Sequence, residues 1–131
     1  DHDQESSRGF LAVEVDTADG PLRVAVAHLK SKLLTYPGNG SKSRFHPHNE
    51  AERARFGAYA LYPRAAEAAT LRGLADFLLE DDGRERDVAV LGDMNDVVNA
   101  ATTQILLRPP GSELDRGMCD GRGSTPPATL M

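Results

Sequence analysis

The stretch Asp87-Val88-Ala89-Val90-Leu91-Gly92-Asp93-Met94-Asn95-Asp96 decides how this chain is read. Its first half is apolar after Asp87, rich in valine and bounded by glycine, which predicts a short buried strand. Gly92 to Asp96 then fall at the strand end. In layered α/β proteins the carboxyl ends of strands open onto the crevice where ligands sit. An Asp-x-Asn there sets a carboxylate and a carboxamide two residues apart, on the same side. Such a pair suits a bound metal, a phosphate, or a water that must be aimed. The same residues are also common turn formers, so a simple turn is the competing reading.

Two further runs lie upstream. Phe10-Leu11-Ala12-Val13-Glu14-Val15 and Leu22-Arg23-Val24-Ala25-Val26-Ala27 flank Asp16-Thr17-Ala18-Asp19-Gly20-Pro21. The Asp-Gly-Pro punctuation predicts a reversal, and the two runs a β-hairpin. The second strand runs into His28-Leu29-Lys30-Ser31-Lys32, so a second strand end carries polar and cationic groups. If Val24 and Val26 face a core, alternation puts His28 on that face, partly shielded from water.

Between the hairpin and the third strand, the segment from Ser31 to His48 has neither hydrophobic period. With Pro37, Gly38, Asn39, Gly40 and Pro47 it reads as one long irregular connection. Long loops of this kind inside compact domains are usually functional or disordered. His46 and His48 lie two residues apart and, lacking further ligands nearby, read as surface histidines. From Asn49 the pattern turns helical. Asn49 and Glu52 have capping-box spacing, and Phe56, Ala60, Leu71, Leu74 and Leu78 recur at helical intervals. Pro63 is expected to kink the helix or divide it in two. Arg64 to Glu80 is rich in Ala and Leu, and with Phe77 favours helix both intrinsically and by burial. Asp81-Asp82-Gly83 ends it. A helix leading back to a strand is an α/β crossover, which predicts a layered fold. A shorter helix is expected over 100–107, before Pro109-Pro110.

Composition bounds the class. The chain has 131 residues, enough for one domain of modest size. A single cysteine, Cys119, excludes an internal disulfide. No run approaches the length of a membrane span. The chain shows no basic-then-apolar leader, so a signal peptide is expected to be absent or removed, and the compartment stays open. No Gly-x-Gly-x-x-Gly or Gly-Lys-Ser/Thr loop follows a strand, which argues against a nucleotide-binding module. The net charge of −5 argues against a general polyanion-binding surface. Its distribution is uneven, however. Lys30, Lys32, Lys42, Arg44, Arg53 and Arg55 stand against Glu50 and Glu52, a local excess of four positive charges. Folded over the strand ends, that charge would meet a phosphate ester; in a solvated loop it would only aid solubility.

A strand ending in His28-Leu29-Lys30-Ser31, a later strand ending in Gly92-Asp93-Met94-Asn95, and Arg8 just before the first strand resemble the endonuclease/exonuclease/phosphatase superfamily. These are metal-dependent hydrolases of phosphoric esters, among them deoxyribonucleases and abasic-site endonucleases. The stretch from Arg64 to Gln104 is especially similar to bacterial nucleases of that kind. The resemblance implies a mixed β-sheet flanked by helices, an α/β (α+β) fold forming part of a four-layer, two-sheet sandwich. It implies His28, Asp93 and Asn95 as catalytic residues, Arg8 and Lys30 as phosphate contacts, and Asp93 and Asn95 as ligands of Mg2+ or Mn2+. The implied partner is a phosphoester, with nucleic acid, lipid headgroups and small esters all open.

The resemblance spans roughly Arg8 to Leu114. The strand bearing an Asn, the strand ending in a metal-anchoring Glu and the closing Asp-His pair of that family are not visible in the sequence. The tail from Asp115 to Met131 has no apolar strand and reads as irregular. The expectation is therefore a central fragment, weak or inactive alone, with missing strands leaving a sheet edge open to self-association. The alternative is a non-catalytic remnant that folds or associates without turnover. Each site residue also has a structural reading: Asp93 capping a turn, Asn95 holding left-handed geometry, His28 satisfied within a core.

Overall fold

The computed structural model describes residues 9–37, 44–79 and 86–108. Among them, strands β1 (Leu11–Thr17), β2 (Gly20–His28) and β3 (Asp87–Asp93) form one mixed sheet in the order β1-β2-β3. Helix α1 (Glu50–Leu79) joins β2 to β3, and α2 (Ala101–Leu107) follows. The class is α+β, as the sequence implies.

The hairpin is tighter than its sequence suggests. Thr17 pairs with Gly20, leaving only Ala18 and Asp19 between the strands, and Gly20 takes a φ of 125° that a side chain disfavours. Thr17 Oγ1 donates to Gly20 O. Pro21 sits within β2, opposite Asp16 and one residue before the β3 pairing begins at Leu22 and Asp87. Its missing N–H therefore costs the second ladder nothing. β2 and β3 run parallel, from Leu22 opposite Asp87 to His28 opposite Asp93, and α1 makes the crossover that parallel neighbours require.

One face of the sheet is covered. Ala25, Ala27 and Leu29 pack against Ala68, Leu71 and Leu106, with Phe10, Val90, Met94 and Leu74 around them. Small residues on both β2 and α1 let the helix lie close to the strands. The covered stripe on α1 comprises Arg64, Glu67, Ala68, Leu71, Ala75 and Leu79, whereas Phe77 is 73% exposed and contributes little burial. Pro63 lies inside a continuous helix and does not divide it.

The other face of the sheet is open and apolar. Register places Leu11, Val13 and Val15 beside Leu22, Val24 and Val26, and Val26 beside Leu91. Val24, in the middle, is buried, yet Leu11, Val13, Val15, Val26 and Leu91 are all exposed. His28 belongs to this face. The expectation that it would be shielded with Val24 and Val26 is therefore corrected: its side chain is 59% exposed, because α1 covers the alternate residues Ala25, Ala27 and Leu29.

Helix α1 runs antiparallel to β2 and β3. Arg23 near the start of β2 donates from Nη1 to Leu78 O at 2.8 Å, while Lys30 just past its end donates its backbone N–H to Glu67 Oε2 at 2.6 Å. Glu50 to Pro63 thus extend beyond the strand ends by about 20 Å at 1.5 Å per residue. The chain leaving β2 follows this overhang, where Tyr36 is buried edge-on against Phe56 with ring centroids 5.4 Å apart. The connection is irregular in its described parts, as its composition predicts.

Candidate functional site at the strand ends

Parallel pairing brings the two motifs together. His28 and Asp93 are register partners at the last rung of β2 and β3, and His28 Nε2 lies 4.0 Å from Asp93 Oδ2. Both side chains are well exposed, 59% and 65%, at the end of the open face. The ladder continues one step further through Leu29 N–H, which donates to Asp93 O at 2.9 Å.

Gly92 makes this approach possible. Its φ is 136°, and a Cβ built there would lie 1.8 Å from Ala27 O on the neighbouring strand. A glycine before the aspartate is thus a steric requirement of the close strand pair.

Asn95 is held by two hydrogen bonds. Its backbone N–H donates to Asp93 Oδ1 at 2.8 Å, an Asx turn that ties the motif to itself. Its side-chain Nδ2 donates to Leu29 O at 2.9 Å, across to the other strand exit. Its φ is 50°, left-handed geometry that asparagine tolerates better than most residues. The turn reading of Asp93 and the left-handed reading of Asn95 therefore both hold. One carboxylate oxygen of Asp93 serves the turn, and the other faces His28.

Of the groups packed behind this pair, the sequence reading counted Lys32 in the local positive charge and assigned the others no role. Asp96, whose side chain is 3% exposed, receives Arg64 Nη2 from α1, Lys32 Nζ from the segment after β2, and Thr102 Oγ1 from α2. It also caps its own turn by accepting the Val97 N–H at 2.9 Å. A buried carboxylate requires such pairing. The signal was present in the sequence as charged residues on an apolar stripe: Arg64 and Glu67 share the helical phase of Ala68, Leu71 and Ala75.

Of the other expected site residues, Lys30 is exposed at the exit of β2 and is fixed by its backbone bond to Glu67. Arg8, Lys42 and Cys119 lie outside the described residues, as does the segment 109–131. His46 and His48 are exposed. His48 Nδ1 lies 2.8 Å from Glu52 Oε2, and the same oxygen accepts the His48 backbone N–H. Asn49 Oδ1 accepts the Glu52 N–H at 2.8 Å, so Asn49 caps α1 as its spacing predicts. Glu52 reaches back to His48 rather than to the cap residue itself. A surface depression lined by His48, Asn49, Ala51, Glu52 and Arg55 lies at this amino end of α1, away from the strand ends.

The donor set at the strand ends is of the kind magnesium accepts, a carboxylate and a carboxamide oxygen, but it is short. Among the described residues no group of three or more His, Cys, Asp or Glu side chains converges as a metal site. An ion held by Asp93 and Asn95 would take its remaining ligands from water and substrate oxygens. No helix among the described residues is long and apolar enough to cross a membrane. No protein-family model, curated protein or solved structure matches this chain.

Proposed function

We propose that the strand ends carry part of a metal-dependent site for hydrolysing phosphoric esters, the activity implied by the resemblance to the endonuclease/exonuclease/phosphatase superfamily. The supporting observation is the juxtaposition of His28 with Asp93, and of Asn95 with Leu29, at the ends of two parallel strands. Those are the residues the resemblance implies, and they lie together. Asp93 Oδ2, exposed and not engaged by the Asx turn, orients or deprotonates the attacking water. His28 contacts a non-bridging phosphoryl oxygen. The Asn95 amide gives one hydrogen to Leu29 O and keeps the second for the same phosphate. Lys30 is an outer phosphate contact. Mg2+ or Mn2+, when bound at Asp93 and Asn95, supplies Lewis-acid stabilisation of charge on the phosphoryl oxygens.

The test is hydrolysis of bis(p-nitrophenyl) phosphate and of plasmid DNA by the 131-residue chain, with and without magnesium. The expected result is slow, magnesium-dependent turnover that Asp93→Asn abolishes. Turnover that persists in Asp93→Asn would refute the assignment. Complete absence of turnover would favour the second reading, a fragment that folds or associates without catalysis. One observation favours that alternative: the open apolar face of β1, β2 and β3, which fits the inner surface of a two-sheet sandwich. Sedimentation equilibrium distinguishes a self-associating fragment from a monomer.

A further inference from the structure

We infer that Asp96 is the positioning residue of the strand-end site, acting through Asn95 and through the exit of β2. The inference rests on the proposed reading of that site, but its structural part can be tested apart from activity. Two chain segments leave the sheet side by side, one after His28 and one after Asp93. Both end on the same carboxylate: Lys32 from the first binds Asp96 Oδ1, and Asp96 itself belongs to the second. Between these anchor points the segments are joined by Leu29 N–H to Asp93 O and by Asn95 Nδ2 to Leu29 O.

The carboxylate is also fixed from outside the sheet. Arg64 reaches it from α1 and Thr102 from α2, and the Asp96 side chain is 3% exposed. Four elements of structure therefore converge on one buried group, immediately after the residue whose left-handed φ aims its carboxamide. Charge makes the arrangement directional. Two cations face one anion, so an uncharged side chain at 96 leaves Arg64 and Lys32 repelling one another across the gap. Lys32, with its side chain 49% exposed, is then released to solvent, and the β2 exit with it.

Asp96→Asn keeps the shape and removes the charge. The direct readout is the Asn95 side-chain NH2 in proton–nitrogen correlation spectra, whose bond to Leu29 O slows exchange with water. Exchange at least about tenfold faster in D96N, with the amide dispersion of the sheet retained, is the expected result. An Asn95 signal indistinguishable from that of the unmodified chain would overturn the inference. If D96N does not fold, Lys32→Gln decides by direction: Asn95 exchange that is faster, though by less than about tenfold because Arg64 still pairs with Asp96, supports the inference, and an unchanged Asn95 signal overturns it. Magnesium-dependent turnover is the second readout: kcat in D96N should fall about 10- to 100-fold with KM nearly unchanged. Should the unmodified chain show no turnover, the second, non-catalytic reading is favoured, and the Asn95 signal still decides the role of Asp96.

Discussion

His28 Nε2 stands 4.0 Å from Asp93 Oδ2 because the two residues close the last rung between adjacent parallel strands. Their separation depends on how closely β2 and β3 approach at the rung before, where Ala27 faces Gly92. Gly92→Ala would set a Cβ 1.8 Å from Ala27 O while demanding a φ of 136° from an alanine. The expected cost is roughly 3 kcal/mol or more, from strain and forced strand separation. Chemical denaturation checks the stability. A folded G92A with the stability of the unmodified chain would contradict the geometry.

Asn95 combines two duties that substitution can separate. Asn95→Ala loses the bond to Leu29 O and keeps an unfavourable left-handed φ, for a cost of about 2 kcal/mol. Asn95→Gly removes the backbone penalty but not the lost bond, so about half of the loss should return. Neither variant restores the carboxamide. Denaturation midpoints should therefore rank native, then Gly, then Ala, while any magnesium-dependent hydrolysis falls equally in both.

The strand and helix pattern was legible because each element repeats at its own period, and His28 and Asp93 because each ends a strand. Their contact follows once β2 and β3 are parallel and in register. Which face of β2 would be covered was not legible. Val24 and Val26 are the more hydrophobic pair, but the small side chains of Ala25 and Ala27 admit the helix, and His28 is consequently exposed. The burial and pairing of Asp96 were not legible for a related reason. Sequence marks it only as one more acid in a turn, whereas its partners Arg64, Lys32 and Thr102 come from three separate stretches of chain.

Pro63 lies inside α1, where it can donate no hydrogen bond to the preceding turn, yet the helix is continuous. Its side chain is exposed. Pro63→Ala therefore loses no packing and gains helix propensity, and should raise stability by about 1 to 3 kcal/mol. A rise in the thermal midpoint is the measurement. An unchanged or lowered midpoint would mean that the ring is matched to a bend the packing needs.

The amino end of α1 responds to acid. The His48 backbone N–H, and then its ring, hold the Glu52 carboxyl below the ordinary glutamate range; hydrogen bonding to Arg53 does the same for Glu50. A carboxyl whose folded value is depressed stabilises the fold above its unfolded value, and that contribution is lost as pH falls through the lower folded value. Carbon-detected titration should place both midpoints below that of a free glutamate. His48→Ala should raise the Glu52 midpoint only partly, since the backbone N–H remains.

Arg64 and Lys32 share the Asp96 carboxylate but differ in burial, and their removal should differ accordingly. The Arg64 side chain is 11% exposed and the Lys32 side chain 49%. Arg64→Ala leaves a buried carboxylate short of its enclosed counter-ion and empties space between α1 and the motif, an expected cost of about 3 kcal/mol or more. Lys32→Ala removes a solvent-screened partner while Arg64 still neutralises Asp96, and the expected cost is under about 1 kcal/mol. Added salt should weaken the Lys32 contribution and leave that of Arg64 nearly unchanged, because screening acts on the exposed pair far more than on the enclosed one. Denaturation of both variants at low and high ionic strength measures the contrast, and equal costs for the two would mean that Asp96 is open to water.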